Sequence, residues 1–179
     1  MKASKLIIQC LENEGVAYIF GVPGKQNIDR LDALIGSSIC FVMIRHEQGA
    51  VFMPHVYGRL TGKASVCLST LGPGATNLIS GVAAANMDRA PVVALTGQAD
   101  QDQLHKESHQ HLDIVSLFHP VTKWNATLPI PDIIPEVIRK VFKLAHSEKP
   151  GATHIEIPAD IACMKTDGQP LLVQWLHPG

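Results

Sequence analysis

Short apolar runs alternate along this chain with stretches in which apolar positions recur every three or four residues. The short runs at 16–20, 40–44, 64–70, 91–96, 121–125 and 153–157 read as strands. Between them the helical spacing is clear. Leu6, Ile7, Cys10 and Leu11 mark a first helix, with Ser4 placed to cap it and Gly15 to end it. After the turn GVPGKQN, Ile28, Leu31, Leu34 and Ile35 mark the apolar stripe of a second. A third helix starts near Glu47, buries Val51, Phe52 and Val56, and stops at Gly62. Pro54 lies inside it, which predicts a kink at 46–50 or a late start. A helix of small residues follows at 78–87, suited to close approach on a neighbour, then a short helix at 111–118 and a last one at 131–146.

Strands that are apolar throughout and alternate with helices are what a parallel sheet covered on both faces requires. The expected fold is therefore α/β in three layers, a doubly wound sheet of about six parallel strands with helices on both faces. Ligands of such folds bind beyond the carboxyl ends of the strands. The loops GVPGKQN, RHEQGA and STLGPGATN leave strands with unusual chemistry and should share that edge. One domain is expected over 1–162, with 163–179, which lacks either period, as a linker or a cut end.

Composition narrows the picture. A chain of 179 residues is long enough for one core. With 15 Lys plus Arg against 16 Asp plus Glu, it has no overall field to attract nucleic acid or an anionic membrane. No apolar run reaches the roughly 20 residues of a membrane helix, and the basic start is interrupted by Gln9 and Glu12, so a cytosolic protein is expected. Cys10, Cys40, Cys67 and Cys163 are scattered without metal spacing and read as buried reduced thiols.

Three places carry candidate chemistry. Arg45, His46 and Glu47 follow an apolar strand directly, and Glu47 either caps a helix or serves a site at the sheet edge. GPGATN frees backbone N–H groups at a helix start, but lacks the rest of a phosphate-binding fingerprint. His105, His109, His111 and His119 have no metal-ligand spacing, so no metal site is expected.

The order of these pieces is more specific than any one of them. GVPG, RHEQGA, LGPGATNL, ANMDRAPVVALTGQ and KPGATHIEIPADI follow one another in a series that resembles the N-terminal pyrimidine-binding domain of thiamine diphosphate enzymes. The resemblance covers about residues 3–167 and is greatest to the large subunit of acetolactate synthase. It implies that Glu47 hydrogen-bonds a pyrimidine nitrogen of the cofactor and works as a proton relay for decarboxylation and carboligation of a 2-keto acid such as pyruvate. It further implies that Pro23, Gly24, Pro73 and Asn77 line the pyrimidine pocket, that Gln110 faces the reacting carbon with His109 beside it, and that Gln98 is a further candidate.

Two positions depart from the family pattern, Lys25 and the pair Pro54–His55. In the family a separate domain with a GDG motif holds the diphosphate and its magnesium, and a middle domain carries FAD in some members; this sequence has no GDG. The resemblance thus implies a diphosphate-binding partner domain of the same or another chain, an exposed apolar face favouring a homodimer, and little turnover by this chain alone. A non-catalytic dimerisation or regulatory module is the alternative.

Overall fold

In the computed structural model of the chain, residues 1–104, 106 and 110–171 are described. Helix α1 (Ala3–Asn13) leads to β1 (Tyr18–Gly21), α2 (Ile28–Ala33), β2 (Cys40–Met43) and α3 (Glu47–Thr61). Then come β3 (Ser65–Ser69), α4 (Pro73–Met87), β4 (Val92–Gln98), α5 (Ile114–Phe118), β5 (Trp124–Thr127), α6 (Ile134–His146), β6 (Ala152–Pro158) and α7 (Ala159–Cys163). The strands form one sheet in the order β2-β1-β3-β4-β6-β5, with every pairing parallel. This is the doubly wound α/β architecture that the alternation of elements predicts.

Side chains of a strand alternate between faces, and the central strands are apolar on both. Val66, Leu68, Val93, Leu95, Ile155 and Ile157 join one core with α1, α6 and α7. Cys67, Val92, Ala94 and Ala152 join the other with α3, α4 and α5. Two cores on opposite faces of one sheet make the three layers. Gly81 explains how tightly α4 seats on α3: a Cβ there would lie 2.6 Å from the Cβ of Val51.

Several local expectations are corrected. Lys2, not Ser4, precedes α1, and Ser4 is buried inside the helix. Helix α2 is only six residues long and turns its stripe around: Ile28 and Ile35 are 61% and 82% exposed, whereas Arg30 is buried. Helix α3 starts at Glu47 without delay and buries Val51, but leaves Phe52 and Val56 exposed. Strand β2 lies at the sheet edge, so Cys40 is exposed; Cys163 is exposed too and donates to Asp29 Oδ2 at 3.0 Å. Cys10 and Cys67 are the buried pair, and burial pushes both thiols up to about 12. After Cys163 the chain turns back to the N-terminus, where Thr166 N–H donates to Met1 O at 2.9 Å and Lys165 bridges Lys2. No helix among the described residues is long and apolar enough to cross a membrane.

Strand order locates the functional edge. The chain goes from β1 out to β2 and returns to β3 on the other side of β1, so the connections leaving β1 and β3 pass to opposite faces of the sheet. A crevice opens between their carboxyl ends, the switch point where ligands of such sheets bind.

Candidate functional site

The turn after β1 is shaped by one side chain. Asn27 Oδ1 accepts the Gly24 N–H at 2.9 Å, and its Nδ2 donates to Val22 O at 3.1 Å, so GVPGKQN is held closed from within. Gly24 then meets the turn after β3, where a Cβ would lie 3.0 Å from the Thr70 Cβ. Thr70 Oγ1 donates to Gln26 Oε1 at 2.8 Å and ties the two loops together. Pro23 lies elsewhere on its loop's surface, lining an apolar cavity of about 470 Å³ with Leu31, Phe41 and Met43. Lys25 lines another cavity, about 420 Å³, beside Asp29 and Asp100.

Glu47 enters the crevice from β2. His46 caps α3, its Nδ1 accepting the Gln48 N–H at 3.2 Å. The Glu47 carboxylate instead reaches α4, where Oε2 accepts from Asn77 Nδ2 at 3.0 Å. Its Oε1 lies 3.2 Å from where a Gly74 Cβ would be, and the residue is half-buried. Helix α4 starts with Pro73 at its first turn, behind Gly72 at φ +58°, and Asn77 projects one turn later. Glu47, Pro73, Gly74 and Asn77, drawn from two loops far apart in sequence, therefore come together, with Gly24 close by through Thr70.

Gln110 stands over the same helix start. Its carbonyl oxygen is 2.5 Å from where a Gly72 Cβ would be, and its side chain is exposed. His105 and His109 lie outside the described residues. His119 is exposed, and His111 Nδ1 meets Gln98 Oε1 at 3.2 Å. Gln98 is buried, and its amide is directed into the protein, donating to Leu112 O at 3.0 Å and Glu156 Oε2 at 2.8 Å. Among the described residues no group of three or more His, Cys, Asp or Glu is arranged to hold a metal ion.

Sequence reasoning missed two residues here, Thr70 and Ser69. They are the polar end of the otherwise apolar run SVCLST, which was the available signal. The Ser69 hydroxyl is buried without a hydrogen-bond partner, 2.8 Å from the Gly74 Cβ position. A buried hydroxyl left unpaired is costly and marks a place that a bound polar group can complete.

These features fit a flat heterocycle with ring nitrogens. One carboxylate oxygen is held by Asn77 and the other lies beside Gly74 at the start of α4, next to the unpaired Ser69 hydroxyl, so a carboxylate acceptor and a free hydroxyl stand close together where a ring nitrogen and its exocyclic group could meet them.

Comparison with known proteins agrees with this chemistry. Residues 1–117 match the family described as thiamine pyrophosphate enzyme, N-terminal TPP binding domain. The chain is 43% identical over 161 residues to the probable acetolactate synthase large subunit of Methanocaldococcus jannaschii, covering 90% of this chain and 27% of that protein. It is 41% identical over 166 residues to the catabolic acetolactate synthase of Raoultella terrigena, covering 93% of this chain and 30% of that one. With the acetolactate synthase of Bacillus subtilis it shares 39% identity over 160 residues, covering 89% and 28% respectively. The chain thus spans under a third of the length of these relatives.

Proposed function

Since the chain belongs to the thiamine pyrophosphate enzymes, as their N-terminal binding domain, we propose that it forms the pyrimidine-binding half of an acetolactate synthase-like active site. The observation that carries this reading is the direction of the Glu47 carboxylate, which leaves the capping of its own helix to His46 and turns to Asn77 and to Gly74 at the start of α4. When bound, the cofactor supplies the electron sink for decarboxylation of a 2-keto acid, pyruvate being the substrate class proposed.

Each residue has a defined task. Glu47 hydrogen-bonds a pyrimidine ring nitrogen and exchanges a proton with it, the role of a general acid/base. Asn77 fixes the carboxylate by holding its second oxygen. Gly72 makes room for Gln110 and Gly74 for the ends of Ser69, Thr70 and Glu47, Pro73 sets the direction of the helix start, and Pro23 and Gly24 belong to the opposite loop of the pocket. Gln110 stands toward the reacting carbon. The diphosphate and its magnesium are held by a separate domain of the same or another chain, with FAD a further cofactor in some members of the family and a homodimer as the assembly. Residues 1–162 are the binding domain, and residues 164–168 pack back on its N-terminus. The alternative of a non-catalytic module is not favoured, because the catalytic-type carboxylate and its Asn77 partner are both present.

Calorimetric titration of this chain with thiamine diphosphate and magnesium, with and without a diphosphate-binding domain, tests the proposal. Weak binding by the chain alone is expected, strengthening by at least about tenfold with the partner domain. Equal binding with and without the partner contradicts a shared site.

A further inference from the structure

Gln110 has φ +59°, a left-handed backbone that is uncommon for a residue with a side chain. On one side it meets α4, where Gly72 leaves room for the Gln110 carbonyl. The other side lies in the sheet. Gln98 ends β4 and grips the two residues that follow Gln110: its Nε2 donates to Leu112 O at 3.0 Å and its Oε1 meets His111 Nδ1 at 3.2 Å. Gln98 is itself fixed, its Oε1 also accepting the Ala99 N–H at 2.9 Å and its Nε2 donating to Glu156 Oε2 at 2.8 Å. Glu156, from β6, completes the chain by accepting from Thr127 Oγ1 of β5 at 2.8 Å.

We propose that Glu156 and Gln98 are positioning residues, a buried relay across β5, β6 and β4 that holds the Gln110 backbone in its left-handed conformation over the start of α4. A carboxyl group that is 4% exposed needs a reason to be there. Burial pushes its pKa up, partly offset by the two hydrogen bonds it accepts. An apolar residue would fill the same space without that cost but could not orient Gln98, whose amide must present its N–H to Leu112 and its oxygen to His111 together. The carboxylate selects that one orientation, because it accepts only from the nitrogen end. The inference deepens the proposed function, on which the catalytic meaning of Gln110 rests; the geometry of the relay does not depend on it.

The test is the Gln110 backbone conformation, read from Cα and Cβ chemical shifts and the intraresidue H–N to Hα distance by NMR on the full chain. Glu156→Leu is expected to lower the left-handed population about tenfold, while the strand resonances of β3 stay in place. Glu156→Gln should restore it, since the new side chain still offers an oxygen to Gln98 and turns its N–H toward Thr127, whose hydroxyl can accept. If Glu156→Leu does not fold, Gln98→Met carries the same expectation. A left-handed Gln110 in the folded loss-of-contact variant overturns the relay, as does a Glu156→Gln variant no better than Glu156→Leu. Adding thiamine diphosphate and magnesium separates the two readings: a relay that behaves as stated in a chain that binds no cofactor, with or without its partner domain, leaves the relay standing and removes the proposed function.

Discussion

Glutamine in place of Glu47 is expected to reduce pyruvate turnover by about 10²–10⁴-fold, the usual worth of a general acid/base, while cofactor binding changes far less. Turnover is measured on this chain combined with a diphosphate-binding domain, magnesium and thiamine diphosphate. The two effects separate for a reason of hydrogen-bond chemistry. Glutamine can keep its oxygen toward Asn77 Nδ2, which now bonds the Glu47 carboxylate at 3.0 Å, and present its amide N–H to a ring nitrogen. The ring is then still recognised. What is lost is a group that can exchange a proton with the ring; His46, beside it in sequence, is committed to the Gln48 N–H as the cap of α3. Unchanged turnover in this variant would remove Glu47 from the chemistry.

Acid should destabilise the protein steeply, and one buried imidazole should account for much of it. His154 lies inside the sheet face, stacked on Phe118 with ring centroids 4.0 Å apart and 2.9 Å from Thr96 Oγ1. Burial depresses its pKa from 6.5 to about 3. Above pH 6.5 the ring is neutral in both the folded and unfolded chain, so it contributes no pH dependence. As pH falls through 6.5 the unfolded chain binds a proton that the folded chain refuses, and stability declines until the folded ring also protonates near pH 3. The full loss is on the order of 5 kcal/mol, comparable with the whole stability of an ordinary domain. Urea unfolding between pH 7 and 3 measures it. His154→Gln should lower stability at pH 7 but flatten the decline below 6.5. An equally steep decline in that variant would assign the acid sensitivity to other groups.

Glu14 and Glu156 act in the opposite direction. Burial raises both carboxyl pKa values, so their contribution is most favourable at low pH and is lost as pH rises through their folded values. They cannot produce an acid-induced loss of stability, which leaves His154 distinguishable from them.

The sheet was legible because its central strands bury both faces. VVALT is apolar or lightly polar at every position, while THIEI sets His154 and Glu156 among its apolar residues; they became β4 and β6, each buried from end to end. Edge strands are different. The run at 40–44 is as apolar as a central strand, yet β2 has a neighbour on one side only and leaves Cys40 and Met43 exposed. Hydrophobicity alone cannot distinguish the two, since sheet position is a property of the whole topology. Helix α2 failed for another reason. Its six residues are too few for a period to assign a face, and Arg30 is buried because it packs beneath Gly97 of β4, donating to Gln26 O at 2.9 Å.

The site divided in the same way. The three loops and their common edge followed from strand direction, and the polar end of SVCLST could have pointed to Ser69 and Thr70. The contact between Glu47 and Asn77, 30 residues apart, could not be read from spacing. Nor could the passage of Gln110 over Gly72 or the Thr127–Glu156–Gln98 chain, which joins three strands that are distant in sequence. Chemistry assembled from separate elements becomes visible only when the sheet aligns them.

A structure of this chain with its diphosphate-binding partner, magnesium and thiamine diphosphate measures directly how far the Glu47 carboxylate lies from a pyrimidine ring nitrogen. The account predicts a Glu47 oxygen within about 2.6–3.2 Å of a pyrimidine nitrogen, with Asn77 still on the other oxygen. A pyrimidine ring seated away from the start of α4, or a Glu47 side chain turned into bulk water, would contradict it.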